Sequence, residues 1–143
     1  MNRIGVYNML IGFVVLFLAA AGGAFIASDL TTGFLRDPEI LSSWQTTLLT
    51  SAHGHTNLFA MIHILFGLSL PYSKLPLKVK HWQTFGLLAG TIAMGPGMMY
   101  RAFKGPTETL DISGLLVGLG LSAALITLIS HSAGLYLHAS RRG

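Results

Sequence analysis

The chain has 143 residues, of which 52% are hydrophobic and only 10% are charged, with a formal net charge of +4. Because soluble domains usually carry about 25% charged residues, this composition excludes an ordinary water-soluble domain and indicates one membrane-embedded domain. The absence of cysteine excludes disulfides, thiolate metal sites, covalent c-type haem attachment and cysteine nucleophiles, which leaves histidine and methionine as the first candidates for metal ligands.

Four apolar stretches follow one another along the chain. They are Met9–Ala27, Leu48–Leu70, Trp82–Tyr100 and Ile112–Tyr136. About 20 helical residues cross a hydrocarbon core of ~30 Å, and the lack of water there forces backbone groups to pair within a helix. The sequence therefore predicts an all-α integral membrane four-helix bundle, one domain over residues 1–143, with spans at about residues 5–27, 47–70, 82–101 and 112–137. The first stretch is longer than the apolar region of a secretory signal, about 7–15 residues, so we interpret it as a retained anchor.

Basic residues orient this bundle. Six of the nine Lys and Arg residues lie at the N-terminus, in the second loop and at the C-terminus, and the other three lie in the first and third loops. The six are Arg3, Lys74, Lys78, Lys80, Arg141 and Arg142. Since cytoplasmic loops carry the excess of Lys and Arg, both termini are predicted inside, as in a multi-pass protein of a prokaryotic cytoplasmic (inner) membrane. The positive charge therefore indicates topology, and no nucleic-acid partner is expected.

Two local signals interrupt the apolar pattern. In loop one, which covers residues 28–47, the segment "DPEILSSW" contains Asp37-Pro38-Glu39, a typical helix start with proline in the first turn. In the third span, "AMGPGMMYR" places Pro96 between two glycines, which predicts a kink or an end of that helix near the outer surface.

The six histidines divide by depth. His81 and His138 lie at the inner boundary and are interpreted as polar residues at helix ends. His63 is predicted near mid-membrane and His131 towards the cytoplasmic side. An ionisable side chain inside a span usually faces protein and often marks a function. For His63 and His131 the sequence leaves two interpretations open: a metal ligand, or a ring that hydrogen-bonds to a neighbouring helix.

His53 and His55 form a separate case, because they flank Gly54 within the first two turns below the outer surface. Residues two apart on a helix are 200° apart, so the two rings point to opposite sides and cannot readily chelate one ion. Neutral imidazole is a common axial ligand of haem iron, and Gly54 leaves room for a flat, bulky group. The pattern is typical of a helix between two cofactor sites; the alternative is one buried histidine and one surface histidine.

The segment "AHGHTNLF", residues 52–59, resembles the haem-ligating HxH helix of subunit I of the haem–copper oxidases and nitric oxide reductases, and of small four-helix relatives in that superfamily. In the family each histidine of this helix ligates a different haem. The resemblance implies that one four-helix chain forms a homotrimer, in which His55 of one protomer and His53 of the next hold the same haem b. Residues matching the copper site and its tyrosine are missing, so the resemblance does not imply reduction of oxygen or nitric oxide.

We therefore expect a membrane b-type haem protein with two histidine ligands, which transfers electrons with a redox partner or binds a small gas, and no catalytic residue is assigned. Asn57 and Thr56 are candidates for hydrogen bonds to the ligating rings, and Arg101 or Arg36 for pairing with haem propionates. In an alternative arrangement, His63 and His131 of one protomer ligate the same haem.

Other functions remain open in the sequence. A haem-free protein can bind copper or zinc through His53 and His55 together with methionines at the same depth, which are Met94, Met98 and Met99. A His/Met axial pair on haem is a further arrangement, although methionine is more often a flexible core filler. Finally, a structural membrane subunit uses its histidines only for hydrogen bonds. An enzyme with its own nucleophile is the weakest of these options, since no nucleophile–base pair is found.

Overall fold

The computed structural model describes residues 3–109 and 111–140, apart from the side chains of Leu41 and Ser42. This part of the chain is all-helical. Its α-helices are α1 (Arg3–Arg36), α2 (Trp44–Ser69), α3 (Leu77–Ile92), α4 (Met98–Lys104) and α5 (Ile112–Ala139). The fold class is therefore the predicted one at the level of secondary structure. Arg141 and Arg142, which contribute to the predicted orientation, lie outside the described residues.

The first connection is shorter than the sequence predicts. Helix α1 continues to Arg36, whereas the first span was expected to end near residue 27. Polar residues after that point do not end the helix, because Thr31 and Thr32 donate their hydroxyls to carbonyls one turn back. The helix start predicted at Asp37-Pro38-Glu39 is a short 3₁₀ helix, Pro38–Ser42. The Asp37 side chain caps it by accepting a hydrogen bond from the Glu39 N–H. Ser43 then caps α2.

The third predicted span is divided by its proline. Helix α3 passes at Ala93–Gly97 into one turn of π-helix that contains Pro96, and α4 continues from Met98. Proline has no N–H to donate and its ring clashes with the preceding turn, so a widened turn is a common response. Gly105, with φ of 87°, ends α4 in the left-handed region that favours glycine.

The helices pack as two antiparallel pairs, α1 with α2 and α3 with α5. Glycines allow the close approach in both pairs. A Cβ on Gly12 of α1 would meet the backbone of Ala60, and a Cβ on Gly120 of α5 would meet Ala89 and Ala93. Gly86 and Gly90 of α3 are used in the same way against α5, so these small residues pack helices within the chain.

Two helices in the described part, α1 and α5, are long and apolar enough to cross a membrane. Helix α2 is less apolar because its first half carries threonines, Ser51, His53, His55 and Asn57, and α3 has only 16 residues before the π-turn. Besides the residues of the core, many large apolar side chains face outwards: Phe17 is 73% exposed and Ile129 is also 73% exposed.

Candidate functional site

His53 and His55 lie on opposite sides of α2. The ring of His53 faces α1, where it lies against Gly23: a Cβ added there would overlap the His53 imidazole. The ring of His55 lies on the other side, in a shallow surface pocket that it lines with Ser51, Gly54 and Leu58. A Cβ on Gly54 would meet nothing within 4 Å, so this face of α2 is open.

A cavity of about 400 Å³ begins at His53. Helix α1 contributes Ala19 and Gly22 to its walls, and α2 contributes Thr56. The opposite wall comes from α3 and the turns after it: Leu88, Thr91, Ile92, Pro96 and Met99. The walls are almost entirely apolar, and the few polar groups are one imidazole and two hydroxyls. Apolar pockets of this size with a small number of polar groups are typical of sites for organic ligands and cofactors.

The side-chain amide of Asn57 is hydrogen-bonded to one ring nitrogen of His53. Asn57 Nδ2 lies 3.1 Å from His53 Nε2 and 3.2 Å from the His53 carbonyl oxygen. Because the carbonyl only accepts, the Asn57 atom on this side is the donor nitrogen, and Nε2 of His53 therefore accepts. A metal at His53 Nε2 would replace this hydrogen bond, which is worth about 1 kcal/mol net.

In His55 the hydrogen-bonded nitrogen is Nδ1, and no hydrogen bond is made to Nε2 by the residues that the structure describes. His55 Nδ1 lies 2.8 Å from the carbonyl oxygen of Ser51 and 3.3 Å from the Ser51 hydroxyl. Since a carbonyl only accepts, Nδ1 carries the proton, and the lone pair of the neutral ring is on Nε2. Donation from one ring nitrogen to a backbone carbonyl is the usual way in which a metal-ligating histidine is oriented. His55 Nε2 therefore lies on the exposed side of α2 with its lone pair available as a hydrogen-bond acceptor.

Of the three methionines considered as ligands, one lines the cavity. Met99 shares the cavity with His53. Met94 is buried in the hydrophobic core, and Met98 packs against that core. The core position is the ordinary use of methionine as an adaptable filler.

His63 is buried completely and both of its nitrogens are hydrogen-bonded. His63 Nδ1 lies 3.1 Å from Asn8 Oδ1 on α1, and His63 Nε2 lies 3.1 Å from Thr91 Oγ1 on α3. Asn8 Nδ2 donates in turn to the Ile4 carbonyl and to the Thr84 hydroxyl, each at 2.9 Å. The network joins three helices and leaves no ring nitrogen of His63 free for iron.

His131 belongs to a different set of contacts. Its Nε2 lies 2.8 Å from the Ser69 hydroxyl, and its ring lies 4.4 Å from that of Phe66, centroid to centroid. Ser69 is six residues beyond His63 on α2, which is about 9 Å of helical rise. The structure therefore does not bring His63 and His131 into a shared site within one chain.

Arg101 lies beside Trp44, the first residue of α2, away from both rings of the pair. Its guanidinium carbon lies 6.0 Å from the centre of the Trp44 ring, and its backbone carbonyl accepts from the Trp44 indole N–H. Trp44 precedes His53 by nine residues, about 13 Å of rise. Arg36, the alternative partner for a propionate, is the last residue of α1 and is exposed.

Sequence reasoning missed Gly23, Asn8 and Thr91. The role of Gly23 depends on which residue of α2 lies opposite it, which the sequence does not show. Asn8 was a detectable signal, since an amide within an apolar span requires a partner inside the protein. Within residues 3–109 and 111–140, no group of three or more His, Asp or Glu side chains could hold a metal ion together.

Comparison of the chain with protein families, with curated proteins and with solved structures finds no match.

Proposed function

We propose that the protein is a multi-pass protein of a prokaryotic inner membrane, in which the helix pairs α1–α2 and α3–α5 form a four-span bundle with both termini in the cytoplasm. The apolar character of α1 and α5 supports insertion, as do the large apolar side chains on the outer surface. In this arrangement His63 of α2 is covered by α1 and α3, with which it forms hydrogen bonds, whereas Ser51 and His55 lie on the open side of α2. Lys74, Lys78 and Lys80 lie at the end assigned to the cytoplasm.

The bundle binds haem b through histidine. The observation that carries this proposal is the pair of opposed rings on α2, one facing an apolar cavity and the other presenting an unprotonated nitrogen outwards. The residues fit the group: neutral imidazoles suit iron, and apolar walls suit a porphyrin. Haem bound there supplies one-electron chemistry. The chain supplies the axial nitrogens and excludes water from the cavity.

A haem held by this chain requires ligands from two protomers. His53 and His55 face away from each other, so they cannot bind the same iron within one chain. A cyclic oligomer repeats the contact, with His55 of one protomer facing the His53 cavity of the next. A homotrimer is the oligomer that the resemblance of residues 52–59 implies. Two axial imidazoles leave iron no open position, which favours electron transfer with a redox partner over catalysis.

The test is a reduced-minus-oxidised spectrum of detergent-purified protein with the haem-to-chain ratio. We expect one haem per chain in the wild type, and loss of at least 90% of the Soret absorbance in His55→Ala. His81→Ala is the matched control, because His81 is exposed at the inner end of α3 and should keep the spectrum. Colourless wild-type protein from haem-supplied cells would reject the proposal.

Copper binding is the second candidate, because one cavity contains both His53 and Met99. Imidazole and thioether together suit Cu(I), and a site of this kind would lie within one protomer. Metal analysis of haem-free protein separates the two candidates. Copper retained in His55→Ala but lost in Met99→Leu would favour the copper site, whereas the haem site predicts the reverse sensitivity.

A further inference from the structure

A second cleft lies between the first turns of α1 and α3, and its volume is about 390 Å³. Its walls are Arg3, Ile4 and Tyr7 from α1 and Leu77, His81 and Thr84 from α3. The side-chain amide of Asn8 donates to the Thr84 hydroxyl at 2.9 Å and joins the two helices at this level. The cleft shares no wall residue with the His53 cavity, which begins on α1 at Val15, about 12 Å of helical rise beyond Tyr7. The two sites are therefore separate.

Two donor groups of the cleft, on Arg3 and Tyr7, are available to a ligand. In the part of the chain that the structure describes, neither the Arg3 guanidinium nor the Tyr7 hydroxyl forms a hydrogen bond or an ion pair. Both residues are exposed. The Thr84 hydroxyl differs, because it accepts from Asn8 and donates to the Lys80 carbonyl at 3.0 Å. The guanidinium has five N–H donors in a fixed fork, which together with the phenol suits a ligand with several acceptor oxygens.

The charges around the cleft favour an anion. The acidic residues of the chain are Asp29, Asp37, Glu39, Glu108 and Asp111, so none occurs before residue 29 or between residues 39 and 108. No carboxylate of the neighbouring sequence therefore competes for Arg3. Helix α3 also begins after Pro76 without a side-chain cap, which leaves the N–H groups of its first turn without an acceptor in the helix. Leu77, the first residue of that turn, is a wall of the cleft, so these groups add to the attraction of Arg3 for a negative charge.

The apolar surroundings of the cleft favour an anion that carries hydrocarbon chains. Ile4 and Leu77 give the cleft apolar walls. Val14 and Leu18 lie on the same side of α1 as Tyr7, because they follow it at intervals of seven and four residues, and both are exposed. In the proposed bundle these side chains face the hydrocarbon layer, and the cleft lies at the cytoplasmic boundary. Basic pockets between spanning helices on this side of a membrane bind the headgroups of anionic lipids.

We propose that this cleft binds the phosphodiester headgroup of an anionic phospholipid from the cytoplasmic leaflet. Arg3 and Tyr7 donate to the phosphate oxygens, as do N–H groups of the first turn of α3, and an acyl chain follows the exposed side of α1. A zwitterionic lipid fits less well, because its ammonium group would lie beside the Arg3 guanidinium with no carboxylate near. The inference rests on the proposed insertion into the membrane and is independent of the proposed haem.

Trp82 provides a fluorescent reporter for this lipid, because it is exposed and follows His81, a wall of the cleft, on α3. The chain has one other tryptophan, Trp44, at the start of α2. The Trp44→Phe variant is reconstituted into phosphatidylcholine vesicles that contain a small fraction of lipid brominated on one acyl chain. The brominated lipid is either phosphatidylglycerol or phosphatidylcholine, at equal fractions. We expect brominated phosphatidylglycerol to quench Trp82 at least twofold more than brominated phosphatidylcholine.

Two charge variants in the Trp44→Phe background separate the cleft from the general positive charge of this end. Arg3→Gln should remove the excess quenching by phosphatidylglycerol. Lys74→Gln is the matched control: it removes the same charge from an exposed residue that is not a wall of the cleft, and it should keep the excess. Inorganic phosphate added in excess should not displace the lipid, because the acyl chain is held as well. If Arg3→Gln does not insert, Tyr7→Phe replaces it and should reduce the excess.

The outcomes are distinct. Equal quenching of Trp82 by the two brominated lipids overturns this inference alone, as does an equal loss of the excess in Arg3→Gln and Lys74→Gln. An unchanged excess in the cleft variant overturns it too. Loss of the excess on addition of phosphate assigns the cleft to a soluble phosphate and overturns the lipid. Protein that does not float with the vesicles overturns the proposed insertion and this inference together, whereas haem-free protein that shows the excess rejects only the haem site.

Discussion

The N-terminal half of α2 and its C-terminal half both carry histidine, but the surroundings of these histidines differ. His63 has a hydrogen-bond partner on each nitrogen and no exposed surface. His55 has a partner on one nitrogen only, and its other nitrogen faces an open pocket. His53 is intermediate, with an apolar cavity on one side and the amide of Asn57 on Nε2.

The two histidines therefore differ in how much of their hydrogen-bonding capacity is used within the chain. A polar group inside an apolar environment costs several kcal/mol unless it is paired, so the full pairing of His63 is sufficient reason for its position. The partial pairing of His55 is not explained in the same way. A ring that is oriented by its own helix and has its other nitrogen on the open side suits the proposed ligand role.

The largest effect on stability is expected from His63→Ala. This variant leaves Asn8 Oδ1 and Thr91 without the ring and opens a void among three helices, which should lower the free energy of unfolding by about 3 kcal/mol. Thermal unfolding in detergent, followed by circular dichroism, measures the loss. His55→Ala should unfold near the wild-type temperature in the absence of haem. Equal losses in the two variants would contradict the comparison between them.

The position of His53 depends on Gly23, and Gly22 provides the matched control. A methyl group on Gly23 would overlap the His53 ring, whereas a Cβ on Gly22 would meet nothing within 4 Å. Gly23→Ala should therefore turn His53 out of its place and reduce the haem-to-chain ratio at least fivefold, while Gly22→Ala should reduce it less than twofold. The ratio is read from the pyridine haemochrome spectrum. Full haem content in Gly23→Ala would show that His53 is not a ligand.

Gly54 tests whether the open side of α2 is covered in the assembly. Nothing in the chain lies within 4 Å of a Cβ at this position, so Gly54→Leu should leave the isolated chain folded. If a neighbouring protomer and a porphyrin cover this face, leucine should block their approach and convert trimers to monomers. Size-exclusion chromatography with light scattering gives the mass. A Gly54→Leu variant that retains both trimer and haem places the site on another face.

The sequence predicts more of the fold than of the candidate site. The length and spacing of the apolar stretches predicted long helices, and Pro96 predicted the interruption between α3 and α4. The extension of α1 to Arg36 was not predicted, because threonines that bond to their own helix read as loop residues. The 200° angle placed His53 and His55 on opposite sides. Their unequal hydrogen bonding was not predictable, since it depends on rotamers and on which residue of α1 lies opposite.

Asp111 lies outside both histidine regions, and its replacement is expected to have the smallest effect on stability. Its carboxylate pairs with Lys104 and caps α5 through the N–H of Gly114. The hydrogen bond from Lys104 first, and then those from Gly114 and Ser113, hold the pKa of Asp111 well below its usual range. Because the folded-state pKa is depressed, the stabilisation is complete above the unfolded-state value of about 3.9 and is lost only as the pH falls through the folded value.

Asp111→Asn should therefore lower the unfolding temperature by roughly 2–4 °C at every pH from 5 to 8, with no trend in that window. Below about pH 4 the difference from the wild type should begin to shrink, because the carboxylate of the unfolded chain is protonated there before that of the folded chain. Scans of both proteins at pH 3.5, 5 and 8 check the sign. Asparagine can still cap the helix, so the remaining loss reports the ion pair with Lys104. A loss that grows as the pH falls would mean that the pairing is not formed at the start of α5.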